Sequence, residues 1–208
     1  MYTEQELRKY LEDLASNKPS PGGGSAAALV GALGVSLLAM VANFTVGKEK
    51  YKDVEEEVGR ILSRCLDLQE KMQQLVDKDV TAYAKVSAAL RMPNHTAQQK
   101  QARKAAMQRA LRVAMEVPLE LCGNLQEAAS LCEPLLQNGN VNLISDVGVG
   151  AEFIAAAFGA AALNVRINLA AIEDEQLVRQ VRRELADEEK ITLAVTRRVV
   201  EAVKEKIQ

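Results

Sequence analysis

Apolar residues recur along most of this chain at intervals of three and four, the spacing that aligns one face of an α-helix. Leu7, Tyr10, Leu11 and Leu14 keep that spacing, and Thr3 with Glu6 has the form of a capping box, so a first helix is predicted to run to about Ala15. Pro19 and Pro21 stop it. Gly22, Gly23 and Gly24 then lead into an Ala- and Leu-rich helix, capped by Ser25 and ending near Gly47. The longest pattern covers residues 52–90, about 55 Å of helix, with Val54, Val58, Ile61, Cys65, Leu68, Met72 and Leu75 on one stripe. The segment MPNHT breaks it, Thr96 with Gln99 recaps, and Pro118 is expected to kink or restart the helix that follows. After NGNVNLISD, either Ser145 or Asp146 caps a second Ala/Gly-rich helix. Asp174 caps a last one that buries Leu177, Val181, Leu185, Ile191, Val195, Val199 and Val203. No segment shows the period-two alternation of a half-buried strand. The expected fold is therefore all-α, one domain over residues 1–208, with two central Ala/Gly-rich helices and long amphipathic outer helices.

Composition narrows the possibilities. At 208 residues and 48% apolar content the chain can bury one substantial core. Lys and Arg (26) nearly balance Asp and Glu (28), so net charge predicts no nucleic-acid partner. Cys65, Cys122 and Cys132 make neither a disulfide framework nor a C-x-x-C pair, and are expected to be core thiols. With no leader pattern at the N-terminus, the cytoplasm is the expected compartment. Residues 25–46 and 147–172 are apolar enough to raise the membrane question. Their apolarity is mostly Ala and Gly, however, and the second carries Glu152, Asn164, Arg166 and Asn168, so no membrane is expected. Small residues at helical spacing, Gly31 and Gly34 in one and Ala156, Gly159 and Ala160 in the other, predict close helix contacts instead. The glycine run is not a nucleotide phosphate loop, because neither a preceding strand nor a Gly-Lys-Ser/Thr ending is present.

Polar residues on apolar faces are the candidate chemistry. Continuing the long stripe past Leu75 brings Asp79, then Tyr83, Val86 and Leu90, with Asp77 on the flank. A carboxylate there is either a structural hydrogen bond or ion pair, or a functional group. Asn164 and Asn168 share a helix face as interhelical glue or ligand contacts, and Arg166 lies off it. Asn140, Ser145 and Asp146 precede a helix N-terminus, as loop and cap or as a site for ligand oxygens. His95 is alone, and no metal site or Ser-His-Asp or Cys-His arrangement is indicated.

Taken in order, PSPGGGSAAA, VGKEKY, DKDVTAY, NGNVNLISD and NVRIN resemble the cyclodeaminase domain of formiminotransferase-cyclodeaminase and its stand-alone relatives, the methenyltetrahydrofolate cyclohydrolases. The resemblance covers nearly the whole chain, without the formiminotransferase domain. It implies a homodimer acting on a one-carbon unit bridging N5 and N10 of tetrahydrofolate, with or without a polyglutamyl tail, beside the glycine loop at the subunit boundary. No cofactor is implied. Asp79 becomes the candidate base, Lys48 a proton-transfer or tail-binding partner, and Gly22, Gly23, Gly24, Ser25, Tyr83, Asn140, Ser145, Asp146, Asn164 and Asn168 the candidate substrate contacts. Glu49 interrupts the basic run that relatives often carry at this point. The absent transferase domain favours cyclohydrolase over cyclodeaminase, and a non-catalytic folate-binding or scaffold protein is the third reading.

Overall fold

The computed structural model describes residues 1–207, and all the regular structure among them is helical. Six α-helices follow in order: α1 (Leu7–Leu14), α2 (Gly23–Asn43), α3 (Glu55–Leu90), α4 (Ala97–Asn138), α5 (Ile144–Leu169) and α6 (Glu175–Lys206). Short 3-10 turns occupy Tyr2–Glu4, Glu49–Val54 and Val141–Leu143. The all-α expectation is borne out.

The two Ala/Gly-rich helices lie at the centre, α2 between α3 and α5, and α5 against α2, α4 and α6. Gly23–Asn43 and Val141–Leu169 are each long and apolar enough to cross a membrane, yet here they pack against each other. They run antiparallel, since Gly23 at the start of α2 faces Asn164 near the end of α5, and Thr45 beyond α2 meets Asn140 just before α5. They approach closely at Gly34 and Gly150, where a β-carbon on either would stand 3.1 Å from the other's carbonyl oxygen. Sequence spacing had named Gly34, which makes this contact, and Gly31, which instead packs against Met72 and Leu125; on α5 it had named Ala156, Gly159 and Ala160, but a β-carbon at Gly159 meets nothing and Ala156 is exposed.

One contiguous core takes residues from all six helices. Val58, Cys65, Leu68, Met72 and Leu75 of α3 are buried as the stripe predicted. The three thiols are buried too, which pushes Cys65 and Cys122 up to about 12, so they are inert filling. On α6 the expected stripe drifts. Ile191 is exposed, and the buried face runs instead from Val181 and Leu185 through the half-buried Glu188 to Thr192, Thr196, Val199 and Val203.

Caps at Thr96 and Asp174 form as predicted, the first as a capping box with Gln99 and the second by accepting from the Leu177 N–H at 3.0 Å. Three other caps do not. Thr3 donates to Asp77 rather than capping α1, Ser25 sits inside the first turn of α2, and neither Ser145 nor Asp146 caps α5, whose N-cap is Leu143. Asn140 caps the preceding 3-10 turn by accepting from the Asn142 N–H. Pro118 neither restarts nor ends α4, which runs unbroken through it.

The glycine contact is testable by contrast. Gly150→Val should lower stability by about 1–3 kcal/mol through overpacking, whereas Gly123→Ala, with open space at its β-carbon, should raise it by about 0.5–1 kcal/mol. Urea titrations monitored by helical circular dichroism measure both. Equal midpoints would show that the α2–α5 distance is not set by these glycines.

Candidate active site

The first turn of any α-helix has N–H groups without intrahelical partners. In α2 those belong to Gly23, Gly24 and Ser25, and no side chain of the preceding turn caps them. The Ser25 N–H instead donates to Asp79 Oδ2, 3.0 Å away on α3. Asp79 therefore caps a helix from which it is 54 residues distant in sequence. Gly24 makes this possible, because a β-carbon there would overlap the Asp79 carboxylate. At Gly23 a β-carbon would rest in ordinary contact with Asn164, and at Gly22 it would meet nothing.

No cation pairs with Asp79 among the described residues. Burial pushes its carboxyl above the usual range, opposed by the Ser25 hydrogen bond. Beneath it, Ser25 Oγ and Tyr10 Oη share a hydrogen bond at 3.2 Å, both side chains buried. The N-terminal arm holds Tyr10 in place. Tyr2 N–H and Thr3 Oγ1 donate to Asp77 at 2.7 and 2.9 Å, Tyr2 and Tyr10 meet edge to face, and Lys18, Lys9 and Tyr2 Oη all donate to Asp13. Hydrogen bonds from Lys18 and Lys9 hold the Asp13 carboxyl well below the usual carboxylate range.

A cavity of about 280 Å³ opens beside Asp79. The glycine turn forms one side, Tyr83 and Val86 of α3 another, and Ala114 of α4 with Asn164 and Asn168 of α5 the remainder. Asn168 Nδ2 donates to the carbonyl oxygens of Ala114 and Asn164, each at 2.9 Å. The first bond has a local cause. Pro118 has no N–H to offer the residue four positions earlier, so the Ala114 carbonyl is orphaned within α4 and Asn168 satisfies it from α5. Asn164 Nδ2 returns to the Ala160 carbonyl at 2.8 Å.

The sequence-predicted site thus divides. Gly22, Gly23, Gly24, Asp79, Tyr83, Asn164 and Asn168 come together around the cavity, and Ser25 joins through its backbone N–H rather than as a cap. Lys48, Asn140, Ser145 and Asp146 do not join them within the chain. They lie at the other end of the antiparallel pair, 18 residues of α5 separating Asp146 from Asn164, or roughly 27 Å. Lys48 precedes the turn after α2, and Asn140 is engaged by Tyr51, Thr45 and Phe44. Tyr10 was read only as a helix-stripe residue; its signal was a phenol on a face otherwise built of leucines, whose hydroxyl requires a partner once buried. A wider groove of about 930 Å³ lies along the N-terminal arm, but Asp77, a carboxylate on its wall, is occupied by Tyr2 and Thr3.

The sequence model described as formiminotransferase-cyclodeaminase matches residues 6–187. The chain belongs to that family. It is 36% identical over 207 residues to a methenyltetrahydrofolate cyclohydrolase of Methylorubrum extorquens, covering 100% of both chains. It is 30% identical over 183 residues to the formimidoyltransferase-cyclodeaminase of Rattus norvegicus, covering 88% of this chain but only 34% of the rat protein. Its structure is similar to the crystal structure of a formiminotetrahydrofolate cyclodeaminase of Thermotoga maritima, with a TM-score of 0.90, 31% identity and complete coverage of both chains.

Two outcomes follow for the family site in this chain. Gly24→Ala should displace Asp79 and lower turnover at least about tenfold, while Gly22→Ala retains it; equal rates would remove the close approach from the mechanism. The folded-state pKa of Asp79 is raised above its unfolded value, so its contribution to stability is greatest at acid pH and is lost as pH rises through that folded value. Asp79→Asn should therefore match the wild type in acid and become relatively more stable toward neutrality, in denaturant titrations from about pH 4 to pH 7. A variant less stable than wild type at neutral pH would contradict this.

Proposed function

We propose that the protein is a methenyltetrahydrofolate cyclohydrolase, converting 5,10-methenyltetrahydrofolate and water to 10-formyltetrahydrofolate. The observation that carries this reading is Asp79, a carboxylate without a cation, raised in pKa by burial and standing on the wall of a cavity, in a chain matched end to end by a cyclohydrolase. The methenyl bridge is a cationic amidinium. Asp79 is the counter-charge to that cation and the base that takes a proton from the attacking water as its oxygen bonds to the bridging carbon. The carboxyl returns that proton to N5 as the C–N5 bond of the tetrahedral adduct breaks, so N5 leaves as a neutral amine; the adduct's hydroxyl loses its proton as the formyl carbonyl forms, and one proton is released overall. The unbonded N–H groups at the start of α2 are positioned to donate to a substrate oxygen. The reaction needs neither metal nor nicotinamide.

The cyclodeaminase reading is favoured by the likeness to the Thermotoga maritima enzyme. In that reaction N10 attacks the formimino carbon of 5-formiminotetrahydrofolate and ammonia leaves, with the same carboxylate moving the protons. The scaffold reading is favoured only by an ion pair that locks Asp79, and none is formed among the described residues.

A homodimer accounts for the residues left remote from the cavity. Leu33 of α2, Phe44 just beyond it, and Phe153, Leu163 and Ile167 of α5 are exposed at 37–69%, an apolar surface suited to burial. A two-fold axis perpendicular to the α2–α5 pair would set the Lys48 and Asp146 end of one copy beside the cavity of the other. Lys48 would then assist proton transfer across the boundary. Buried thiols suit a reducing compartment, and we place the protein in the cytoplasm.

Loss of the near-ultraviolet absorption of methenyltetrahydrofolate measures the first reading, and ammonia release from formiminotetrahydrofolate the second. Asp79→Asn should abolish most turnover, by about a hundredfold or more, with helix content intact; normal turnover would end its assignment as the base. Sedimentation at micromolar concentration should give a dimer, and Lys48→Ala mixed with Asp79→Asn should recover part of the activity each lacks alone, through hybrids with one intact site. A fully active monomer would remove both the dimer and the shared site.

A further inference from the structure

A carbonyl inside a regular α-helix accepts from the N–H four residues on, so an internal proline leaves one carbonyl without its donor. In α4 the proline is Pro118 and the carbonyl is that of Ala114, on the wall of the Asp79 cavity. The missing donor comes from α5, where Asn168 Nδ2 stands 2.9 Å from it. The same nitrogen donates to the Asn164 carbonyl, also at 2.9 Å. A carboxamide nitrogen carries two protons, and in Asn168 both are spent on backbone oxygens.

This arrangement fixes which end of the amide a ligand meets. Turning the Asn168 amide over would set Oδ1 against two carbonyl oxygens and strand the Ala114 carbonyl again, so the observed orientation is locked. Oδ1 accepts no hydrogen bond among the described residues, and it is open to the cavity rather than sealed in the core. Asn168 thus shows a ligand one acceptor and no donor. Asn164 differs, because its Nδ2 donates once, to the Ala160 carbonyl at 2.8 Å, and keeps a proton free.

We propose that Asn168 is a specificity-determining residue whose Oδ1 accepts from the N–H edge of a reduced pterin, the edge formed by its 2-amino group and N8–H, and that Pro118 is the positioning residue that sets this polarity by denying the Ala114 carbonyl a donor within α4. The inference rests on the folate reading of the cavity and adds which edge of the ring is read and why. The placement agrees with it. Asn164 faces Gly23, the neighbour of the Gly24 that meets Asp79, and Asn168 lies one turn further along α5, about 6 Å. A bridging carbon held at Asp79 therefore leaves the opposite edge of the ring toward Asn168. A ligand without an N–H there leaves Oδ1 unpaired, the situation in which a hydrogen-bonding site discriminates most strongly. A fully oxidised pteridine has no proton at N8 and offers the amino group alone.

The experiment compares kcat/KM for 5,10-methenyltetrahydrofolate with that for its 2-desamino-2-methyl and 8-deaza analogues, in wild type, in Pro118→Ala and in the Pro118→Ala/Asn168→Asp double variant. Wild type should lose about ten- to a hundredfold on at least one analogue, and equal use of all three overturns the proposal. Pro118→Ala gives the Ala114 carbonyl an N–H of its own and frees the Asn168 amide to turn. The discrimination should then fall at least about threefold with helix content unchanged. Asn168→Asp in that background presents oxygens only and should restore it. A discrimination that Pro118→Ala leaves intact, or that the double variant does not recover, overturns the control by Pro118; a proline that mattered only for stability would move the urea midpoint and not this ratio. Turnover of neither methenyl- nor formiminotetrahydrofolate would sink the folate reading instead. Proton exchange of the Asn168 side-chain amide, followed by NMR, then decides the polarity: slow exchange in wild type and fast exchange in Pro118→Ala supports it, and equal exchange rejects it.

Discussion

The carboxylate of Asp79 against the first turn of α2 is the contact on which the site depends. A helix beginning with two glycines and no local side-chain cap has three open donors, and one is taken from across the bundle. This ties α2 to α3 at the end of the molecule where Ser25 also meets Tyr10, so the N-terminal arm, the glycine turn and the long helix share one junction. Gly24 is fixed by that junction, since a side chain there and the carboxylate cannot occupy the same space. A group described as structural or catalytic on sequence grounds is here structural through one oxygen and available through the other.

A second backbone irregularity shapes the opposite wall. Pro118 removes a donor from α4 without breaking it, and the Ala114 carbonyl it exposes is satisfied by Asn168. Asn168 is thereby committed to holding α5 on α4 beside the cavity, a positioning role rather than a substrate contact through its amide nitrogen. Both walls are thus set by backbone groups that a regular helix would have satisfied internally.

Periodicity made the helices legible, because apolar burial at intervals of three and four leaves a direct trace in residue order. The stripe from Val58 to Leu75 and the caps at Thr96 and Asp174 are local patterns, and the structure reproduces them. Asp79 stood out as a charge on that stripe. What could not be read was set by partners distant in sequence: Thr3 prefers Asp77 to its own helix, α2 takes its cap from α3, and Pro118 is tolerated because Asn168 comes from α5. On α6 the buried face passes through Glu188, Thr192 and Thr196, polar residues that an apolar count skips, so the stripe was assigned to Ile191 instead. The family resemblance grouped Lys48, Asn140, Ser145 and Asp146 with the cavity because motif order carries no distance; antiparallel packing puts them at the far end of the chain's central pair.

Charge at the cavity fits the proposed substrate. The cavity lining carries one carboxylate and no cation. A half-buried carboxylate without a counter-charge is disfavoured in its ionised form, which is why its pKa is raised; a cationic amidinium beside it would supply that counter-charge and draw it back toward the ionised form. A neutral heterocycle would leave Asp79 uncompensated, and an anionic one would repel it.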